Sequence, residues 1–205
     1  MLRAQRPLTD EHDEVLFIVV HQVYELWFKQ LLHELAHLQA RLEAGDTAHA
    51  LHTLKRILTI LKVVVAQIDV IETMSPRQFT GFRARLESSS GFQSTQFRSL
   101  EAIVGPVLFA SFVAYLARQG YRTDVEEVEE TLLAVYRDDG EPAQIAERLV
   151  DLDEGLQEWR YRHVKMVERT IGDKAGTGGS TGVGYLRSTL FRPAFPALWA
   201  IRSRL

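Results

Sequence analysis

Apolar residues recur every three or four positions along most of the chain, which is the spacing of one buried helix face. The first such stretch can begin at Thr9 or Asp10 and run to Gly45, with acidic residues in its first turn where the helix dipole favours them. Its apolar stripe consists of Leu16, Val20, Val23, Trp27, Leu31, Leu35, Leu38 and Leu42. The pattern predicts an all-α fold, a helical bundle that forms a single domain over residues 1–205.

The same spacing, together with glycine and proline positions, predicts the later helices. A second helix runs from about Thr47 to Met74 and ends before Ser75-Pro76, because the residue before a proline disfavours helical geometry. The others are expected at Pro76 to Leu86, at Gln93 to Arg118 with Gly120 as the stop, at Asp124 to about Arg137, and at Pro142 to Ile171. The segment from Gly172 to Gly184 holds six glycines and is not expected to form an ordinary helix interior.

Composition removes several kinds of chemistry. The chain has no cysteine, which excludes thiol catalysis, disulfides and zinc sites made of thiolates. Its 24 basic and 27 acidic residues give a net charge of -3, so there is no global basic field for nucleic acid or an anionic membrane. The acidic N-terminal stretch lacks the apolar run of a signal peptide, and no apolar run reaches the length of a membrane span. We expect a cytoplasmic protein.

Residues His33-Glu34-Leu35-Ala36-His37 match the HExxH pattern of zinc enzymes. A helical wheel places His33 opposite the leucine stripe, beside Lys29, and the sequence offers no third ligand. We therefore interpret His33 and His37 as exposed histidines.

Two other histidines lie beside large apolar residues. His21 flanks the apolar stripe, one turn after Phe17, which suits either a buried core histidine or the wall of a slot for a flat aromatic ligand. His163 shares a helix face with Trp159 and Val167. A histidine in such surroundings is the proximal ligand that many haem proteins use, although a core histidine is the simpler interpretation.

Two further features of the sequence are candidates for binding a carboxylate or another anion. The loop from Gly176 to Gly182 offers backbone N–H groups and hydroxyls for a carboxylate, but it lacks the lysine of a P-loop and equally suits a flexible loop. Arg83, in Phe79-Thr-Gly-Phe82-Arg83, is either a bidentate carboxylate clamp or a surface charge.

Three long blocks, taken together, resemble one family closely. They run from His12 to Leu35, from Glu72 to Glu101 and from Trp159 to Leu190, and they cover 86 of 205 residues. These blocks resemble the signature blocks of the tryptophan 2,3-dioxygenase family. The resemblance implies an all-α enzyme that contains haem b, assembles as a homo-oligomer (a tetramer or a dimer) and uses O2 to open the indole ring of L-tryptophan, giving N-formylkynurenine.

Carried over position by position, the resemblance assigns a role to each candidate. His163 matches the proximal ligand of the haem iron, and His21 matches the distal histidine that accepts a hydrogen bond from the indole N–H. Arg83 matches the clamp for the substrate carboxylate. The remaining matches are the pocket walls Phe17, Phe79 and Leu86, the haem-edge residues Ser90 and Gly91, and Thr177 as the partner of the substrate ammonium and carboxylate.

Two departures from the family pattern leave the substrate open. The segment that precedes the first block is short and has no aromatic residue, whereas in the family its tyrosines reach a neighbouring subunit's site. The interval between the second and third blocks is also shortened. The alternatives are therefore a haem monooxygenase or peroxygenase of another aromatic amino acid or indole, and a haem-binding bundle without catalytic activity.

Overall fold

The computed structural model describes residues 4–86, 93–124, 128–174 and 183–205, and every regular element in these ranges is helical. Short helical turns follow the longer helices at Ala84–Leu86, Ile103–Val107 and Ile201–Arg204. The helices are α1 (His12–Glu43), α2 (Thr47–Ile71), α3 (Pro76–Arg83), α4 (Thr95–Ala102), α5 (Leu108–Arg118), α6 (Val128–Asp138), α7 (Glu141–Ile171), α8 (Val183–Ser188) and α9 (Pro196–Ala200). The all-α prediction is confirmed.

Residue contacts divide the chain into two compact units. The first consists of Met1–Lys29, Lys62–Phe97 and Gln157–Arg192, and the second of Gln30–Leu61, Arg98–Leu156 and Pro193–Leu205. The long helices α1, α2 and α7 each contribute residues to both units. The single domain expected from the sequence stays a prediction.

Helix α1 begins two to three residues later than the sequence predicts. The carboxylate of Glu14 accepts hydrogen bonds from the backbone N–H groups of Leu8 and Thr9, both at 2.8 Å. These bonds hold the preceding residues in a bend, so helical geometry begins at His12. Helix α2 likewise ends at Ile71, before the expected Met74, since Ser75 already serves as the N-cap of α3.

The helix predicted from Gln93 to Arg118 is interrupted. Helix α4 ends at Ala102, and a wide π-helical turn over Ile103–Val107 precedes α5. Pro106 lies in this turn, where its missing N–H and its ring disturb the regular ladder. The backbone of Val104 and Gly105 is accordingly non-helical. Gly120 ends the next helix with a φ of +89°, which confirms it as the stop.

The chain after α7 contains the glycine-rich segment. Gly172 follows α7 with a φ of +61°, as a helix-ending glycine does. Residues 175–182 lie outside the described residues, and α8 begins at Val183. Gly184 is therefore the second residue of a six-residue helix, which the prediction against an ordinary helix interior does not exclude. The predicted helix from Asp124 appears from Val128, with residues 125–127 outside the description.

The core of the first unit is a cluster of apolar side chains from α1, α2, α3 and α7. Its buried members are Val20, Ile71, Met74, Phe79 and Phe82, and the partly buried residues packed against them are Leu16, Phe17, Tyr24, Leu86, Met166 and Ile171. Full burial of one such side chain contributes about 1.5–3 kcal/mol. This cluster fixes α3, and with it the candidate pocket walls, against α1.

The second unit has its own core and a buried carboxylate. Leu38, Leu42, Phe112 and Tyr115 are fully buried in it. Asp153 is also fully buried and accepts hydrogen bonds from Ala194 N at 2.8 Å, Phe195 N at 3.1 Å and Trp199 Nε1 at 2.9 Å. This carboxylate anchors the C-terminal segment.

Two segments, His12–Glu43 and Thr95–Arg118, have the length and hydropathy of a membrane span. Length and composition are the only criteria that they meet, and the core helices of water-soluble proteins meet the same criteria. The absence of a membrane span therefore stays a prediction.

Candidate active site

His21 lies on α1 with its ring against that of Phe17, at a centroid distance of 4.1 Å. Its Nδ1 is 2.7 Å from the carbonyl oxygen of Phe17. A carbonyl only accepts hydrogen bonds, so Nδ1 donates and, in the neutral ring, Nε2 keeps the lone pair. His21 therefore presents a hydrogen-bond acceptor at Nε2.

The surroundings of His21 keep this ring neutral. Desolvation by the nearby protein atoms lowers the pKa of His21, and the hydrogen bond to Phe17 and the charge of Glu25 offset only part of that effect. The side chain is nevertheless accessible to solvent. The place of His21 in the wall of a pocket stays a prediction.

His163 lies on α7 and is half-buried. Its ring stacks on the indole of Trp159, with centroids 5.0 Å apart and 13° between the ring planes. Burial, with a smaller electrostatic contribution from His21, lowers the pKa of His163 to about 4. Both imidazoles are therefore neutral near pH 7, and both belong to the first compact unit although they are far apart in the sequence.

The indole of Trp159 is itself held by packed rings. Its centroid is 4.9 Å from that of Phe97 and 6.3 Å from that of Phe28, the latter in an edge-to-face arrangement. The ring of Tyr24 packs at a tilt of 37° against that of Phe28, with centroids 5.9 Å apart, and its hydroxyl donates a hydrogen bond to Val64 O at 2.9 Å. Burial raises the pKa of Tyr24 to about 12, so its hydroxyl stays protonated. These contacts give His163 a rigid aromatic support.

Helix α3 carries the second group of candidate residues. Ser75 begins it with a capping box, in which the Ser75 side chain accepts from Gln78 N and the Gln78 side chain accepts from Ser75 N. Phe79 is buried, and its ring is 5.7 Å from that of Phe17. Leu86 packs against the same cluster. The structure therefore brings together the predicted pocket walls Phe17, Phe79 and Leu86.

Arg83 follows Phe79 by one helical turn, on the same face of α3, and is half-buried. From this position, the guanidinium of Arg83 is able to reach the edge of the aromatic cluster formed by Phe17 and Phe79. Ser90, Gly91 and Thr177 lie outside the described residues, so their predicted roles stay predictions.

The HExxH residues have the exposure that the helical wheel predicts. His33 and His37 are exposed, whereas Glu34 is buried. Both carboxylate oxygens of Glu34 are 3.2 Å from Arg56 Nη1, and one is 2.7 Å from Gln30 Nε2. The carboxylate that would be the base of a zinc enzyme instead forms an ion pair between α1 and α2.

One group beside the site has no clear signal in the sequence. Arg162, the residue before His163, contacts Asp69 Oδ1 at 2.5 Å and Glu72 Oε2 at 3.1 Å. Both acidic residues lie at the end of α2 or just after it. Both acidic residues lie far from Arg162 in the sequence, so the sequence does not reveal that they pair with it. The only indication in the sequence is that Arg162, a charged residue, precedes the candidate iron ligand His163.

Comparison with known proteins gives the family. The family model for tryptophan 2,3-dioxygenase matches residues 1–140 and 128–205, which together span the chain. The chain belongs to the tryptophan 2,3-dioxygenase family. The matches cover all three sequence blocks that carry the resemblance.

Bacterial family members are similar over the full chain. A tryptophan 2,3-dioxygenase of Anaeromyxobacter dehalogenans is 60% identical, with coverage of 100% of this chain and 92% of the relative. The proteins of that name from Herpetosiphon aurantiacus and Caulobacter vibrioides are 49% and 42% identical, and the alignments cover 93% and 94% of them. The first alignment extends over 244 positions, although the chain has 205 residues, so the relative has positions without a counterpart here. The shortened interval between the second and third blocks stays a prediction.

Proposed function

We propose that this protein is a haem-dependent dioxygenase that converts L-tryptophan and O2 into N-formylkynurenine. The observation that carries the proposal is the aromatic setting of two histidines in one compact unit: His21 lies against Phe17, which contacts Phe79, and His163 stacks on Trp159. Names of full-length relatives support the reaction, and the shared blocks contain each proposed site residue.

The donor set around His163 fits haem b. A metal needs the neutral imidazole, and burial keeps His163 in that form. Among the described residues no hydrogen bond occupies the ring, and no group of three histidine or carboxylate side chains suited to an isolated metal ion is found there. One imidazole against aromatic and aliphatic side chains is typical of a proximal haem ligand. When bound, haem supplies the O2 chemistry that protein side chains lack.

His21 and Phe17 would recognise the indole of the substrate. The free acceptor Nε2 of His21 takes a hydrogen bond from the indole N–H, and the Phe17 carbonyl fixes the imidazole orientation. The rings of Phe17 and Phe79 provide apolar walls for a planar substrate. The residues thus orient the substrate, and orientation alone is able to supply several kcal/mol of a reaction barrier.

The amino-acid part of the substrate is proposed to lie near the end of α3. Arg83 binds the carboxylate with two parallel hydrogen bonds, a geometry that the planar guanidinium favours. Leu86 packs against the apolar cluster and would extend the wall of the pocket. The family resemblance assigns Thr177 to the substrate ammonium and carboxylate, and Ser90 and Gly91 to the binding of haem. For Thr177, Ser90 and Gly91 the support is the family match alone.

The proposal also includes a homo-oligomer, a tetramer or a dimer, in the cytoplasm. Three exposed apolar residues of α1, Val15, Val19 and Leu26, support association because their spacings of four and seven place them on one helix face. Light scattering of the haem-loaded protein measures the oligomeric state.

The proposed function is tested by measuring how many oxygen atoms of labelled O2 enter the product. Protein expressed with haem supply is mixed anaerobically with L-tryptophan, its spectrum is recorded, and 18O2 is then admitted. We expect a Soret band, a spectral change on substrate binding, and N-formylkynurenine that carries two 18O atoms. A product with one 18O atom would identify a monooxygenase, and protein without haem would overturn the proposal.

A further inference from the structure

Arg162 forms an ion-pair cluster directly beside the proposed haem ligand. One nitrogen, Nη2, is 2.5 Å from Asp69 Oδ1 and 3.1 Å from Glu72 Oε2. The two carboxylates are three residues apart, so they lie on the same side of the chain at the end of α2. The cluster therefore connects α7, at the residue before His163, to the end of α2.

This connection reaches the substrate side of the site through a short piece of chain. Glu72 follows the last residue of α2, and Ser75, three residues later, caps α3, which carries Phe79 and Arg83. Met74 between them is buried in the cluster that contains Phe79. A shift of α7 relative to the end of α2 would therefore be resisted both by the ion pairs and by this packed core.

We propose that Arg162 is a positioning residue, which with Glu72 fixes the rotation of α7 and so directs the imidazole of His163 toward the haem iron. The inference rests on the proposed function, because it takes His163 as the iron ligand. The geometric reason is that adjacent helical residues differ by about 100° in direction. Restraining the Arg162 side chain therefore sets the direction of the next side chain.

The two carboxylates contribute unequally. The side chain of Glu72 is 19% exposed and that of Asp69 is 68% exposed, while that of Arg162 is 29% exposed. An ion pair open to solvent is screened and loosely held, whereas a partly buried one is held in a defined geometry. Glu72 is therefore expected to be the more important partner, although its bond to Arg162 is the longer one.

The experiment compares Glu72→Gln, Asp69→Asn and Arg162→Lys with Lys165→Ala as a matched control. Glutamine and asparagine keep the shape of the native side chains, so these variants should fold. Lys165 lies on the same helix and forms an ion pair with Glu168 at 2.9 Å, but it does not connect α7 to α2. The readouts are the iron–histidine stretching band in the resonance Raman spectrum of the ferrous protein, the rate of haem transfer to apomyoglobin, and KM against kcat.

We expect Glu72→Gln to shift or broaden the iron–histidine band and to accelerate haem loss about tenfold, the scale seen when groups that orient metal ligands are removed. Asp69→Asn should have a smaller effect, Arg162→Lys should fall between Glu72→Gln and wild type, and Lys165→Ala should match wild type. KM for tryptophan should stay within about twofold of wild type in Glu72→Gln while kcat falls, because the change acts through the proximal ligand and not on bound substrate.

Two outcomes would overturn the inference. One is a wild-type Raman band and a wild-type rate of haem loss in both Glu72→Gln and Arg162→Lys, even if those variants are less stable to heat. The other is an equal effect in Lys165→Ala, which would indicate a general response to surface charge. Failure of the proposed function is distinguishable, because it would appear in the wild-type protein as the absence of haem or of an iron–histidine band.

Discussion

The imidazole of His163 lies parallel to the indole of Trp159, at a centroid distance of 5.0 Å and an interplanar angle of 13°. The two residues are one helical turn apart on α7, and Phe97 and Phe28 enclose the indole. One face of the imidazole is thus covered by a rigid ring. This arrangement fixes the plane of the proposed ligand before any metal binds, which is the usual requirement for a well-defined metal site.

Replacing His163 tests the proposed ligand directly. We expect His163→Gly to lose most of its haem, because a single imidazole supplies the proposed protein bond to iron. Imidazole added to the medium should restore haem binding, as it refills the space left by the side chain. Haem content is measured from the Soret absorbance after gel filtration. The matched control replaces the exposed His33 and His37 by alanine and should keep full haem content; full occupancy in His163→Gly without imidazole would assign the ligand elsewhere.

Arg83 provides the test of substrate recognition. A carboxylate clamp binds ground state and transition state alike, so Arg83→Ala should raise KM for tryptophan about 10- to 100-fold with a smaller change in kcat. Arg83→Lys should restore little, because an ammonium lacks the planar fork. Steady-state kinetics with tryptophan give both constants.

Tryptamine, which lacks the carboxylate, separates the clamp from a structural role of Arg83. Wild type should bind tryptamine weakly, and Arg83→Ala should weaken that binding little further. Equal losses for tryptophan and tryptamine, measured by titration of the ferric protein, would mean that Arg83 maintains the fold or the haem pocket instead.

Replacing Asp153 tests how much its buried carboxylate contributes to the stability of the second unit. It is fully buried and accepts three hydrogen bonds from the C-terminal segment, so Asp153→Ala leaves three donors without their acceptor. We expect a loss of about 2–4 kcal/mol in the free energy of unfolding. Urea denaturation measures it. Asp151→Ala, which removes a half-exposed ion pair with Arg148, should change stability by only about 0.5 kcal/mol.

The sequence predicts the helices well because their signals are local. The three- and four-residue spacing of leucines, the Ser75-Pro76 boundary and Gly120 each act through neighbours within a turn or two. The wheel for α1 also separates the exposed His33 from the buried Leu35 correctly. The single helix predicted from Gln93 to Arg118 is wrong at Pro106, because the proline disturbs the helical hydrogen bonds and the backbone of Val104 and Gly105 leaves helical geometry between α4 and α5.

Contacts between side chains that are far apart in the sequence are not predicted by local sequence signals. Nothing near Asp153 indicates that it accepts from Trp199, and nothing near Arg162 indicates Glu72. That His21 and His163 belong to the same compact unit is likewise invisible to periodicity and was expected only from the family resemblance. Periodicity tells which face of a helix is buried, while the partner across the core depends on how the whole chain packs.

Glu14 links stability to acid pH. Its carboxylate is buried and accepts hydrogen bonds from Leu8 N, Thr9 N and Thr9 Oγ1. Burial alone would raise the pKa of Glu14, but these hydrogen bonds outweigh it and hold the pKa below the usual 4.5. The ionised carboxylate is therefore favoured in the folded state, and its contribution to stability is present above pH 4.5 and is lost as the pH falls through the folded-state pKa.

Glu14→Gln isolates this contribution, because glutamine keeps the shape and does not titrate. The free energy of unfolding by urea is measured for both proteins from pH 7 to about pH 3, the range in which a carboxyl group of this kind titrates. The variant should be less stable at pH 7, and the difference should shrink below pH 4.5 as Glu14 of the wild type becomes protonated. Asp10→Asn, which removes an exposed carboxylate from the same bend, should have a small effect at every pH. A difference between wild type and Glu14→Gln that stays constant down to pH 3 would show that the hydrogen bonds in the bend do not depend on the charge of Glu14.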